Sequence, residues 1–161
     1  MGEVIRVGMA DLNICRAPDR ITTLGLGSCI GLVLFDVHTA VCGMVHVMLP
    51  DSSIGRAGDN PAKFADTGTE SLITELRKNG VPESSLMAKM AGGAKMFAVK
   101  GTGDLLNIGE RNAEAIKEIL KKRGIPLIAS DCGGNYGRTI EFDPVTFQLH
   151  IRAIGKEERT I

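Results

Sequence analysis

Thr23-Leu24-Gly25-Leu26-Gly27-Ser28-Cys29, followed by Gly43-Met44-Val45-His46-Val47-Met48-Leu49-Pro50, are the two runs around which the rest of the chain is arranged. Ile21 to Leu26 reads as a short strand that dissolves into Gly25, Gly27 and Ser28. Cys29 to Phe35 is almost wholly apolar, the pattern of a strand buried on both faces. Asp36-Val37-His38-Thr39 makes a turn and Val41 to Leu49 returns as a second strand, which predicts an antiparallel hairpin. In such a hairpin Cys29 starts one strand and lies beside the end of the other, where His46 stands seventeen positions later. One nucleophile and one base brought together by strand pairing are the minimum equipment of a cysteine hydrolase.

The bulk properties agree with a compact scaffold around that pair. A chain of 161 residues, 43% hydrophobic and 24% charged, predicts one globular domain over 1–161. Nineteen basic and nineteen acidic residues cancel, which leaves no electrostatic footprint for nucleic acid or an anionic membrane. No apolar run is long enough to span a bilayer, and Met1-Gly2-Glu3-Val4-Ile5-Arg6 lacks the features of a signal peptide. The expected location is therefore cytoplasmic. There Cys15, Cys29, Cys42 and Cys132 are expected as free thiols, at most one of them reactive. Their spacing, with three histidines, fits no zinc site.

Outward from the hairpin, Val4 to Ile14 alternates loosely as an opening strand, and Arg16-Ala17-Pro18-Asp19 is turn chemistry. A loop from Leu49 to Asp59 leads to a helix with Asn60 as N-cap and Pro61 in its first turn. Phe64, Gly68, Leu72, Ile73 and Leu76 fall on one face of it, and Gly80 with Pro82 ends it. Leu86 to Ala91 reads as a strand, Gly109 to Arg123 as a second helix, and Ile125 to Ser130 as another strand. Arg138 to Phe142 and Phe147 to Ile154 alternate on either side of Asp143-Pro144-Val145-Thr146, a closing hairpin. The order predicts a mixed α+β sandwich with two helices packed on sheet.

Cys29 reads in two ways, as a nucleophile or as a small buried hydrophobe heading a core strand. The turn at Gly27 and Ser28 is suited to present backbone N–H groups that lower a thiol pKa and serve as an oxyanion hole. His46 is a polar residue within an apolar strand, either a base or a satisfied structural histidine. A base needs an orienting acceptor, and spacing does not choose among Thr23, Asp11, Asp36 and Asp51. Gly92-Gly93 and Gly133-Gly134 are turns or the frame of a substrate entrance, and Arg111 or Asn112 starts a helix or touches substrate. Cys132 is expected to be structural. Gly25-Leu26-Gly27 is followed by a strand pattern, which rules out a dinucleotide fingerprint.

The runs quoted above resemble the CheD family of chemoreceptor glutamine deamidases. So do Lys63-Phe64-Ala65-Asp66-Thr67, Ala91-Gly92-Gly93-Ala94-Lys95-Met96-Phe97, Asn107-Ile108-Gly109-Glu110-Arg111-Asn112 and Asp131-Cys132-Gly133-Gly134-Asn135, in that order. The resemblance implies Cys29, His46 and Thr23 as the catalytic set, which selects Thr23 over the carboxylates. It implies a layered sandwich of mixed β-sheets with two main helices, akin to the fold of cytotoxic necrotizing factor toxins. Glutamines of methyl-accepting chemoreceptors are the implied substrate, presented to an open, shallow site without metal or organic cofactor. A second implied partner is the CheC phosphatase, so the chain is alternatively a regulatory binding module with little amidase activity. A thiol hydrolase of another amide or ester remains the third reading.

Overall fold

The computed structural model describes residues 2–96 and 107–161, so Phe97, the last residue of the Ala91–Phe97 motif, lies outside the described residues. Among the described residues, one sheet holds β1 (Val4–Val7), β3 (Arg20–Leu26), β8 (Arg138–Asp143), β9 (Gln148–Arg152) and β10 (Arg159–Thr160), side by side in that order. A second sheet holds β2 (Leu12–Arg16), β5 (Val41–Val47), β4 (Ile30–Asp36), β6 (Met87–Gly92) and β7 (Leu127–Cys132). Neighbouring strands run antiparallel except β1 with β3 and β6 with β7, so both sheets are mixed. The helices α1 (Ala65–Lys78) and α2 (Ile108–Arg123) cover the second sheet on its far side. The expected layered α+β sandwich is what the chain forms.

Two cores follow from these layers. Ile30, Leu32, Leu34, Val41, Val45 and Val47 face the helices and meet Leu72, Ile73, Leu76, Ile116 and Leu120. Val33, Phe35, Cys42 and Met44 point the other way, toward Ile21, Leu26, Ile140, Phe142, Leu149 and Ile151 of the first sheet. Strands β4 and β5 are covered on both faces, which is why their sequences are apolar without alternation. β8 and β9 have one wet face and alternate.

Several boundaries differ from the sequence reading. Val4 to Ile14 is two strands in different sheets, because a turn at Gly8–Ala10 (φ 54° at Ala10) carries the chain across. Asn60 caps a short 3-10 turn, Pro61–Lys63, instead of the helix; its side chain accepts from the Ala62 N–H at 3.1 Å. The Lys63 carbonyl accepts from Met48 and Leu49, and the Ala65 N–H donates back to Leu49, which holds Phe64 extended and delays α1 to Ala65. β10 was not foreseen, since two polar residues carry no apolar signal.

Gly31 sets how closely the sheets approach. A Cβ there would lie 2.5 Å from Ile140 Cδ1 and 3.3 Å from both Leu26 Cδ1 and Thr23 Cγ2. Gly31 is also the residue directly opposite His46 in the hairpin. Gly31→Ala is expected to force the sheets apart and cost about 1–3 kcal/mol, the range for overpacking a core. A thermal unfolding midpoint equal to that of the parent chain would contradict this account of the spacing.

Candidate active site

The sheets meet at Thr23 and His46. Thr23 lies on β3 with its side chain between the sheets, and His46 lies on β5 facing it. Thr23 Oγ1 is 2.7 Å from the Val7 carbonyl oxygen and 2.7 Å from His46 Nδ1. A hydroxyl has one proton, and a carbonyl can only accept, so that proton goes to Val7. Thr23 must then accept from Nδ1–H. This fixes the tautomer: His46 carries its proton on Nδ1 and keeps a lone pair on Nε2. Nε2 is buried and has no hydrogen-bond partner among the described residues. Burying such an acceptor unpaired is costly, and the lone pair it leaves can accept a proton.

The three carboxylates that spacing left open are occupied elsewhere. Asp36 accepts from the Thr39 hydroxyl and the His38 N–H, Asp51 from the Ser53 N–H, and Asp11 from the Leu12 N–H.

Cys29 occupies the turn between β3 and β4, one residue before Ile30, which pairs with Val47. The register thus places the half-buried Cys29 one pair beyond Ile30–Val47 and two beyond Gly31–His46, and no hydrogen bond joins the Cys29 and His46 side chains among the described residues. Three carbonyls pin this turn from behind. Ala94 N–H donates to Gly27 O at 2.9 Å, Asn112 Nδ2 to Ser28 O at 3.0 Å, and Gly93 N–H to Cys29 O at 2.9 Å. The Gly27 N–H is used by the Gly25 carbonyl. Those of Ser28 and Cys29 donate to no other residue among the described ones, which leaves them free for an oxyanion.

Electrostatics set the resting state. Burial pushes the Cys29 thiol above its ordinary value, against a smaller pull from its own backbone N–H. Burial likewise holds the His46 imidazole below its ordinary value. The pair rests as neutral thiol and neutral imidazole, not as the thiolate that the glycine turn suggested, because desolvation penalises both charges.

Gly92 and Gly93, expected at a substrate entrance, lie against the backbone of Cys29. A Cβ on Gly92, at φ 120°, would stand 2.2 Å from the Cys29 carbonyl oxygen. Asn112, expected to touch substrate, is fully buried and cannot do so. Its Nδ2 bridges Ser28 O and Met48 O, each at 3.0 Å, and so ties the cysteine turn to the end of the histidine strand. Cys132 is half-buried opposite Gly92, with its thiol raised by burial. Cys15 and Cys42 are buried neighbours across β2 and β5, and the adjacent Cys15 together with burial pushes the Cys42 thiol above its ordinary value.

Sequence reasoning missed an ion pair beside the site. Arg138 is buried between the sheets, 3.3 Å from Asp131 Oδ2 and 3.3 Å from the Gly92 carbonyl oxygen. The signal was present: Arg138 is in phase with Ile140 and Phe142 on the inward face of β8. Among the described residues no group of three His, Cys, Asp or Glu side chains converges as a metal site. None of the four described cavities, the largest about 580 Å³, is lined by Cys29 or His46. A thiol beside an open imidazole acceptor and free N–H groups can carry out acyl transfer from an amide or ester to sulfur.

That chemistry meets the comparisons with known proteins. The family model described as CheD chemotactic sensory transduction matches residues 48–153. A probable chemoreceptor glutamine deamidase CheD of Lachnoclostridium phytofermentans is 56% identical over 161 residues, the whole of both chains. The chemoreceptor glutamine deamidase CheD of Bacillus subtilis is 51% identical over 159 residues, covering 98% of this chain and 96% of that one. A solved structure of a Neisseria meningitidis protein of the DUF152 family covers 83% of this chain and 63% of its own, at TM-score 0.49 and 12% identity. The chain belongs to the CheD family.

Two outcomes check the geometry. Thr23→Val keeps the shape and loses the acceptor; amidase kcat should fall on the order of tenfold or more, short of the ~10²–10⁴ that a positioned base supplies, with Thr23→Ser near the parent. Equal rates for Val and Ser would remove the hydroxyl from the account. Because protonating Nε2 destroys the base and burial lowers its pKa, kcat/KM should persist until pH falls below the ordinary imidazole value of 6.5. A half-activity point on the acid side at or above that pH would contradict the buried, neutral base.

Proposed function

We propose that this chain, one domain over 1–161, hydrolyses the side-chain amide of glutamines in methyl-accepting chemoreceptors, with Cys29 as nucleophile, His46 as base and Thr23 as its orienting partner. The observation that carries the reading is the unpaired, buried Nε2 of a ring locked by Thr23 beside the cysteine turn, in a chain whose full-length relatives are named for this reaction.

Cys29 Sγ attacks the carboxamide carbon as its proton passes to His46 Nε2, and the Ser28 and Cys29 N–H groups hold the resulting oxyanion. The imidazolium returns that proton to the amide nitrogen, the C–N bond breaks, and ammonia leaves a thioester on Cys29. Water, losing a proton to Nε2, attacks the thioester. The C–S bond breaks, the sulfur recovers its proton, and glutamate is released. Since thiol and imidazole both rest neutral, charge arises only when substrate is present to be attacked.

A membrane receptor's cytoplasmic part would be met in the cytoplasm, and among the described residues no helix is long and apolar enough to cross a membrane. We assign to the same site, as an obstructing partner, a phosphatase of the CheC kind.

The deciding experiment incubates a receptor cytoplasmic fragment with this protein and, in parallel, with Cys29→Ala. Peptide mapping by mass should find the NH2-to-OH exchange at defined glutamines with the parent chain alone. Deamidation by Cys29→Ala at the parent rate would end the assignment of the nucleophile.

A further inference from the structure

A trans peptide unit is planar, with its C=O and its N–H pointing in opposite directions. The Ser28 carbonyl and the Cys29 N–H belong to one such unit, so whatever grips the carbonyl also aims the N–H. Asn112 Nδ2 donates to Ser28 O at 3.0 Å, from a fully buried side chain on α2. The Cys29 N–H is thereby turned away from α2. It lies close enough to the Cys29 sulfur to pull the thiol pKa down against burial. The preceding unit is set in the same way, since the Ala94 N–H donates to Gly27 O at 2.9 Å and so aims the Ser28 N–H. That grip is backbone; the other is a side chain.

Asn112 is committed to this task at both hydrogens of its nitrogen. Its two neighbours, Ser28 O and Met48 O at 3.0 Å each, are carbonyls, which only accept. Met48 directly follows β5, so the Ser28–Cys29 peptide is held in reference to the strand that carries His46. α2 comes within reach because its first turn rests on bare backbone. A Cβ on Gly109, which shares a helix face with Asn112, would stand 2.5 Å from the Ala94 carbonyl oxygen. The arrangement costs stability, because Asn112 Oδ1 is buried with no partner among the described residues. A leucine would avoid that cost and leave the Ser28 carbonyl ungripped.

We infer that Asn112 is the positioning residue of the oxyanion hole: through the Ser28 carbonyl, its amide points the Cys29 N–H at the amide oxygen of the substrate. The inference rests on the deamidase reading above. An N–H aimed in this way counts most once charge has developed on that oxygen, so its misdirection acts on kcat and leaves KM. It touches neither the proton of the thiol nor the base.

The test compares two reactions of Cys29 in the full chain and in Asn112→Leu. Deamidation of a receptor cytoplasmic fragment builds an oxyanion. Alkylation by iodoacetamide, in which sulfur displaces iodide from a CH2 carbon, builds none. In the variant, kcat for the fragment should fall about tenfold or more, within the ~10²–10³ that outright loss of an oxyanion donor costs. KM and the alkylation rate should stay at the parent values. A kcat equal to the parent's overturns the inference, and so does an alkylation rate that falls in step with kcat, the mark of an asparagine that serves only the fold. Should Asn112→Leu unfold at the assay temperature, Asn112→Ala decides on the same two rates. Either contrary result in a parent chain that deamidates leaves the deamidase standing, whereas a parent chain that deamidates no receptor fragment overturns both.

Discussion

The hydrogen bond from His46 Nδ1 to Thr23 Oγ1 joins the two sheets at the candidate site, as the Arg138–Asp131 pair does beside it. It is short, buried and directional, and Val7 fixes its direction. Around it the packing makes sense: Gly31 lets the sheets approach until a threonine can reach a histidine. The hairpin of β4 and β5 then sets Cys29 two positions before Gly31, the residue opposite His46. A sandwich a little wider would leave the same residues present and the base free to turn. The spacing between layers is therefore part of the site.

Much of this was legible. The unbroken apolarity of Cys29–Phe35 and Val41–Leu49 announced strands covered on both faces, and with them the pairing of cysteine and histidine strands. Alternation in Arg138–Phe142 showed which residues face inward, yet alternation names a face and not a partner. The parallel pairing of β1 with β3 rests on a connection through β2 of the other sheet, which no local pattern encodes, whereas that of β6 with β7 is made across α2. The choice of Thr23 illustrates the limit at the site. Three aspartates were better acceptors in isolation, and local turns claim each of them. Asn112 was misplaced for a related reason: a polar residue near a helix start looks exposed until the carbonyls of Ser28 and Met48 are seen to need it.

Polar groups are concentrated in this interior beyond what a passive core needs. Arg138 with Asp131, Lys89 on the carbonyls of Phe147 and Ile161, and the Asn112 amide each cross between elements that apolar contact alone would let slide. Arg138 grips the Gly92 carbonyl, the neighbouring Gly93 grips Cys29, and Asn112 grips Ser28, so the cysteine turn is fastened from two independent directions. Such groups lower stability when left half-paired, as the Asn112 oxygen is. They raise the specificity with which one arrangement of the turn is selected, a role that a leucine in the same place has no means to fill.

The neutral resting state of Cys29 has a bearing on survival as well as on rate. Peroxide attacks thiolates, and the ladder from sulfenic to sulfonic acid begins there. A thiol that burial keeps protonated is dull to oxidants. Enzymes that store a permanent thiolate depend on cellular reductants for their upkeep. In this chain the restraint on Cys29 comes from its burial.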